Sequence, residues 1–391
     1  MIVAGVMSGT SADGIDVAIV RILGRSRSLR LRLLAHEHVP YSHAVRERIL
    51  SAMNAGSARV ADLARLNFLL GELYADAVEA TRKRHRANLE LIGCHGQTLY
   101  HQGNAAVFLG RSISATWQTG EASVIAARTG VPVVSDFRPA DMAVGGLGAP
   151  LVPLLDVAFY SHLKKLRVLQ NIGGIANVTI LPPRTTLVSM ERVIGFDTGP
   201  GNMVIDACSQ KLFAKSYDED GKIAAKGRVI ESVVKRALQH PFFRSKPPKT
   251  AGREQFGREF TTQFLQWCGP RAKKPDVLAT ATALTAVSIG QALQQALATA
   301  KVRPPFARGT AEYVVSGGGS QNRTLMQMIS GQVEPLGFHV LTSDDLGMPS
   351  QAKEAIAFAL LAYQTWHRQP GNVPRATGAT RPAVLGKISY P

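Results

Sequence analysis

Val3-Ala4-Gly5-Val6-Met7-Ser8-Gly9-Thr10-Ser11-Ala12-Asp13-Gly14-Ile15-Asp16-Val17-Ala18-Ile19-Val20 opens the chain with two β-type apolar runs around a short segment of Ser, Gly, Thr and Asp. The spacing predicts a hairpin whose tip is built from small residues. Gly9 and Gly14 let backbone approach a ligand closely, Ser8, Thr10 and Ser11 offer hydroxyls, and the N–H groups of a tight turn converge on an anion such as phosphate. An ordinary N-terminal hairpin with a polar tip is the competing reading.

Working outward, further β-type runs at 29–38, 89–94 and 131–135 alternate with helical periodicity through Val45, Ile49 and Met53 and from Val60 to Val78. That alternation predicts an α/β layout in which ligands bind beyond strand ends. His95-Gly96-Gln97-Thr98 and Asp136-Phe137-Arg138 follow two of these strands. Gly145 to Pro150 is a strong breaker before a helix starting near Leu151, which places a domain boundary there. Beyond it, Gln170-Asn171-Ile172-Gly173-Gly174-Ile175-Ala176-Asn177 echoes the opening motif as strand, Gly-rich turn and strand. Gly195-Phe196-Asp197-Thr198-Gly199-Pro200-Gly201-Asn202 is read as separating a short strand from a helix over 203–212, with its carboxylate at the strand end. A long helix is expected over 276–297. A third turn, Ser316-Gly317-Gly318-Gly319-Ser320-Gln321-Asn322, lies between a strand and a helix, whose N-terminus suits a phosphate or base edge. A helix over 350–367 precedes a Pro/Gly-rich tail, 371–391, expected to lie over the surface.

The 391 residues suggest two domains, and the formal charge of +17 invites a nucleic-acid partner. The basic residues fall in scattered clusters without aromatic interleaving or zinc spacing, so no nucleic-acid site is expected; the charge instead gathers anionic substrates. Cys94, Cys208 and Cys268 lie far apart, which argues against a disulfide framework or zinc site. With no signal-peptide pattern and no window read as long and apolar enough to span a bilayer, a soluble, cytoplasmic protein without membrane partners is expected. The P-loop, the G-x-G-x-x-G fingerprint and the G-x-S-x-G elbow all fail here. Three Gly-rich strand-end turns in a two-halved α/β chain favour phosphoryl transfer, two tips holding a triphosphate across a cleft and the third turn on the nucleoside.

The segments 5–16, 95–98, 136–138, 146–153, 171–177, 195–202, 252–254, 316–319, 354–359 and 377–382, in collinear order over nearly the whole chain, resemble the anhydro-N-acetylmuramic acid kinases. The resemblance implies a two-domain actin-like ATPase (ribonuclease H-like) fold, of the hexokinase and acetate-kinase type, with ATP in the interdomain cleft. The domains would be 1–145 plus about 350–391, and 146–349. It implies opening of a 1,6-anhydro bridge with one water and phosphorylation of O6, giving N-acetylmuramic acid 6-phosphate and ADP, in a homodimer.

Carried over by motif, Gly9, Thr10, Ser11, Ala12, Asp13, Gly14, Ile15 and Asp16 form the first phosphate loop, with Asp13 or Asp16 reaching Mg²⁺ directly or through water. Gly173 and Gly174 face the phosphates, Gly317, Gly318 and Gly319 lie against adenosine, and Asp197 is the catalytic base. The alternative for Asp197 is a helix N-cap. His95 is expected to hydrogen-bond the sugar or to serve structure. Arg138 pairs with the lactyl carboxylate or fixes a loop, and Glu354 accepts sugar hydroxyls or is a first-turn helix carboxylate. Two rivals stay open: a kinase for a simpler anhydrosugar such as levoglucosan, and a non-catalytic sugar- or nucleotide-sensing module.

Overall fold

The computed structural model describes residues 1–25, 29–183, 193–247, 249–299 and 301–391. In chain order the first elements are β1 (Ile2–Ser8), β2 (Gly14–Leu23), β3 (Arg30–Pro40), α1 (His43–Ala52), α2 (Val60–Arg84), β4 (Leu91–Phe108), β5 (Arg111–Thr119), α3 (Ala122–Thr129), β6 (Val133–Ser135), α4 (Phe137–Ala143) and α5 (Pro153–Tyr160). There follow β7 (Leu166–Ile172), β8 (Ile175–Leu181), β9 (Ile194–Pro200), α6 (Met203–Phe213), α7 (Glu231–Ala237), α8 (Pro241–Arg244), α9 (Arg253–Phe256), α10 (Arg258–Cys268), α11 (Lys274–Thr299), β10 (Ala311–Ser316), α12 (Arg323–Val333) and β11 (His339–Thr342). The chain closes with α13 (Lys353–Trp366), α14 (Pro374–Thr377) and β12 (Lys387–Ser389).

Two compact units result. Among the described residues the first holds 1–160 and 352–391, and the second 161–183 and 193–351. The breaker at 145–150 lies within the first unit, because α5 beyond it packs on α13. The first unit's sheet runs β12-β6-β4-β1-β2-β3, with β5 paired to β4 alone. Here β1 lies antiparallel to β2 and parallel to β4, and β4 parallel to β6. The second unit's sheet runs β11-β10-β7-β8-β9, β10 being parallel to β7 while β8 is antiparallel to both its neighbours. Each unit therefore buries its own core, as the mixed α/β pattern requires.

One contact decides where α13 sits. Gly5 and Gly93 are partners in the β1/β4 ladder and give a floor without side chains. A Cβ on Gly5 would overlap the carbonyl oxygen of Ala355, and one on Gly93 that of Phe358. The helix backbone thus rests directly on the sheet, next to Glu354.

Four further expectations change. Asp197 is inside β9 rather than at a strand end, since Asn177 of β8 pairs with it. The stretch after 94 continues as a long β4–β5 hairpin, whose irregular register carries no clean alternation. The C-terminal tail is not merely draped over the surface: β12 pairs with β6, and Asn372, Thr377 and Leu385 are fully buried. Finally, α11 is by length and composition long and apolar enough to cross a membrane, but 83% of that window is buried inside the protein, where it serves as a core helix.

Candidate active site

In the first unit, β1 ends at Ser8 and β2 starts at Gly14, so residues 9–13 form the expected tip. Ala12 N–H donates to the Gly9 carbonyl at 3.1 Å and closes the turn; Ala12 takes φ 49°. The tip is held from behind. Ser8 Oγ donates to Gln97 Oε1 at 2.6 Å, Gln97 Nε2 donates to the Gly9 carbonyl at 3.1 Å, and Tyr41 OH donates to Ser8 Oγ at 2.9 Å. Burial pushes the Tyr41 phenol up to about 12, so it remains a neutral donor. Gln97→Leu, which orphans two of these groups, should destabilise the first unit by about 1–3 kcal/mol in urea unfolding and weaken ADP binding.

Thr10, Ser11 and Asp13 are exposed on this braced turn, and Ser11 Oγ donates to Asp13 Oδ1 at 2.9 Å. Asp16 sits differently. Its Oδ1 is shared by His36 Nε2 at 3.0 Å and His38 Nδ1 at 3.2 Å, both on β3. Ile15 points into the core and Gly14 packs under His38, so these two offer a ligand only strand backbone.

His95 of β4 and Arg138 of α4 meet beside the same strand ends. Arg138 Nη2 and Nε donate to His95 Nε2 at 2.9 and 3.2 Å, and Nη1 donates to the Gly148 carbonyl at 2.7 Å. His95 Nδ1 donates to the Gly96 carbonyl at 2.7 Å, which sets the neutral tautomer. Burial, with the Arg138 charge added, drives the His95 pKa well below the usual value. Both ring nitrogens are therefore occupied by protein, and His95 buttresses the guanidinium. Arg138 falls to about 10 through burial and stays charged at neutral pH. Glu354, in the first turn of α13, opens to solvent; the protein around it raises its carboxyl pKa against the pull of Arg138, with Asp16 adding and Lys353 opposing.

In the second unit the Gly173-Gly174 turn joins β7 to β8 and receives the start of α6. The Gly173 carbonyl accepts from Asn202 N–H at 2.8 Å, and the Gly174 carbonyl from Gly201 and Met203 N–H at 2.9 and 3.1 Å. Gly317 follows β10 at φ 83°, and a Cβ there would stand 2.7 Å from the Ile172 carbonyl oxygen. Parallel pairing of Ser316 with Asn171 brings this third turn beside the second. Asn202 links them, its Nδ2 donating to the Ile172 carbonyl at 3.4 Å while its Oδ1 lies near Gly319. The glycines differ in purpose. Gly317 and Gly319 are pressed against protein, whereas Gly9, Gly173 and Gly174 have no heavy atom nearer than 3.5 Å to an added Cβ, which leaves room for a ligand.

Asp197 lies three residues before the end of β9, about 10 Å along the strand from that turn. Its N–H donates to the Lys249 carbonyl at 3.0 Å and its Oδ2 accepts from Ala251 N–H at 2.7 Å. Burial pushes its carboxyl up to about 7; Glu254 on α9 adds to the rise, while the Ala251 bond and Lys249 oppose it. The N-cap of α6 is Asn202, so Asp197 is not a helix cap.

Gln97 and Asn202 lie inside the 95–98 and 195–202 motifs, where nothing local assigns either a role, and Tyr41 and Asp206 carry no signal in the sequence. Asp206, in the first turn of α6, is also pushed up to about 7 by burial.

The family model for anhydro-N-acetylmuramic acid kinase matches residues 1–391. The anhydro-N-acetylmuramic acid kinase of Bacillus cereus (strain G9842) is 45% identical over 394 aligned positions, covering 100% of both chains. That of Bacillus anthracis (strain A0248) is 43% identical with the same coverage. Among solved structures, the activator of the 2-hydroxyisocaproyl-CoA dehydratase from Clostridium difficile with bound ADPNP gives a TM-score of 0.44 at 11% identity, over 93% of this chain and 95% of that one. With full-length identity of this order, the chain belongs to the anhydro-N-acetylmuramic acid kinase family.

Proposed function

We propose that this protein is an ATP-dependent kinase that opens the 1,6-anhydro bridge of 1,6-anhydro-N-acetylmuramic acid and phosphorylates O6, yielding N-acetylmuramic acid 6-phosphate and ADP in murein recycling. The observation that carries it is Asp197: a carboxylate fixed at 2.7 Å by the Ala251 N–H, with its pKa pushed up to about 7, is matched to general-base work near neutral pH. Asp197 takes a proton from a water attacking C1. The C1–O6 bond breaks, its electrons stay on O6, and O6 takes the γ-phosphoryl group of ATP in line. The geometry resembles inverting glycoside cleavage, with phosphoryl transfer in place of protonation of the leaving oxygen.

In the first unit the tip at Gly9, Thr10, Ser11 and Ala12 offers backbone to phosphate oxygens; in the second the open Gly173-Gly174 turn offers the same, and Gly317 to Gly319 suit adenosine. Mg²⁺ would supply charge neutralisation at the phosphates, and Asp13, exposed on the tip, or Asp16 would hold it directly or through water. Arg138, charged and held by His95 and Gly148, suits the lactyl carboxylate, a group that levoglucosan lacks. Glu354 accepts sugar hydroxyls. A cytoplasmic homodimer is the expected setting.

Incubation with ATP and the anhydro amino sugar in ¹⁸O-water should place the label at C1 of the phosphorylated product. Unlabelled product would reject hydrolytic opening, and turnover confined to levoglucosan would reject the substrate.

A further inference from the structure

The first unit buries an ion pair that takes no part in the chemistry above. Lys353, the first residue of α13, and Asp156 of α5 are each 3% exposed, with Nζ 2.8 Å from Oδ1. The ammonium also lies 5.6 Å from the centre of the Tyr160 ring. Such a pair is a poor device for stability, because desolvating both ions offsets their attraction and apolar residues of similar volume often serve as well. Its place makes it poorer still: a cation in the first turn of a helix opposes the dipole, and Ala352 at the N-cap supplies no side-chain cap.

What the pair does fix is rotation. At 3.6 residues per turn, neighbouring helical side chains diverge by about 100°. Holding Lys353 against α5 therefore turns Glu354 away from the core and into solvent, while Gly5 and Gly93 set the height of the same helix on the sheet. We propose that Asp156 and Lys353 form a positioning pair that presents Glu354 to the sugar beside Arg138. This rests on the reading of Glu354 as a sugar ligand.

The charges acting on Glu354 are Arg138 from α4, Asp16 from β2 and Lys353 from its own helix. Behind them stand neutral His95 on Arg138, and His36 and His38 on Asp16. Lys353 opposes the rise of the Glu354 carboxyl.

The test is calorimetric titration of the full chain with 1,6-anhydro-N-acetylmuramic acid, and separately with ADP, using D156L/K353M in wild-type and E354Q backgrounds. The expected result is a folded double variant that binds ADP normally and binds the sugar about tenfold or more weakly, with no further loss when Glu354 is already Gln. Wild-type sugar affinity in D156L/K353M, or an equal loss in both backgrounds, would overturn the pair's role while leaving Glu354's intact. Unchanged sugar affinity in E354Q alone would overturn the reading of Glu354 and this inference with it. Should D156L/K353M fail to fold, D156N/K353M, which also leaves no buried charge unpaired, takes its place in the same cycle, and K353R, which keeps the charge, should retain most of the affinity.

Discussion

Asp197→Asn should lower kcat by about a thousandfold, within the range that a positioned general base contributes, while leaving ADP affinity unchanged. Asn keeps the shape and an oxygen to accept the Ala251 N–H, so the loss isolates the proton-accepting role. The pH dependence follows from the raised pKa. In the free enzyme the carboxyl is protonated below about 7, so kcat/KM should rise about tenfold per pH unit below that value and level off above it. The rising limb should vanish in the variant.

Stability runs the other way. Asp197 has a folded pKa above its unfolded one, so the native state holds a proton that the unfolded chain has released between about pH 4 and 7, and stability is lost as pH climbs through that window. The variant should therefore be at least as stable as the wild type at pH 8 in thermal unfolding. A variant that retains wild-type kcat would assign the base elsewhere.

The second large effect is structural. Gly5→Ala should destabilise the first unit by about 3 kcal/mol, because the added Cβ meets the Ala355 carbonyl oxygen, which belongs to a helix backbone and has no rotamer in which to retreat. Gly56→Ala is the control: a Cβ there meets nothing within 4 Å, and the change should stay within about 0.5 kcal/mol in urea unfolding. Any Gly5→Ala protein that folds should show a raised KM for the sugar, since α13 must lift or turn and carry Glu354 with it. Equal stability of the two variants would contradict the close packing of α13 on β1 and β4.

Much of the site was legible because it is local. A hairpin tip of Gly, Ser, Thr and Asp depends on turn chemistry within a few residues, and the tips at 9–13 and 173–174 fall where those residues place them. Asp197 is singled out by its motif but expected at a strand end, because 195–202 reads as separating a short strand from a helix; pairing with β8 extends β9 through Pro200. The β4–β5 hairpin was missed for a related reason, since its register slips between Gln102 and Ala106 and no period survives in the sequence.

By itself, the sequence determined the α/β alternation, the two halves, the three glycine turns and the family motifs, all of which rest on neighbours close along the chain. Only tertiary structure decided what each polar group is free to do. His95 is spent on Arg138 and Gly96, Asp16 on two histidines, and Lys353 on Asp156, through partners that lie far away in sequence. Burial, which no local pattern encodes, is what lifts the Asp197 carboxyl to about 7.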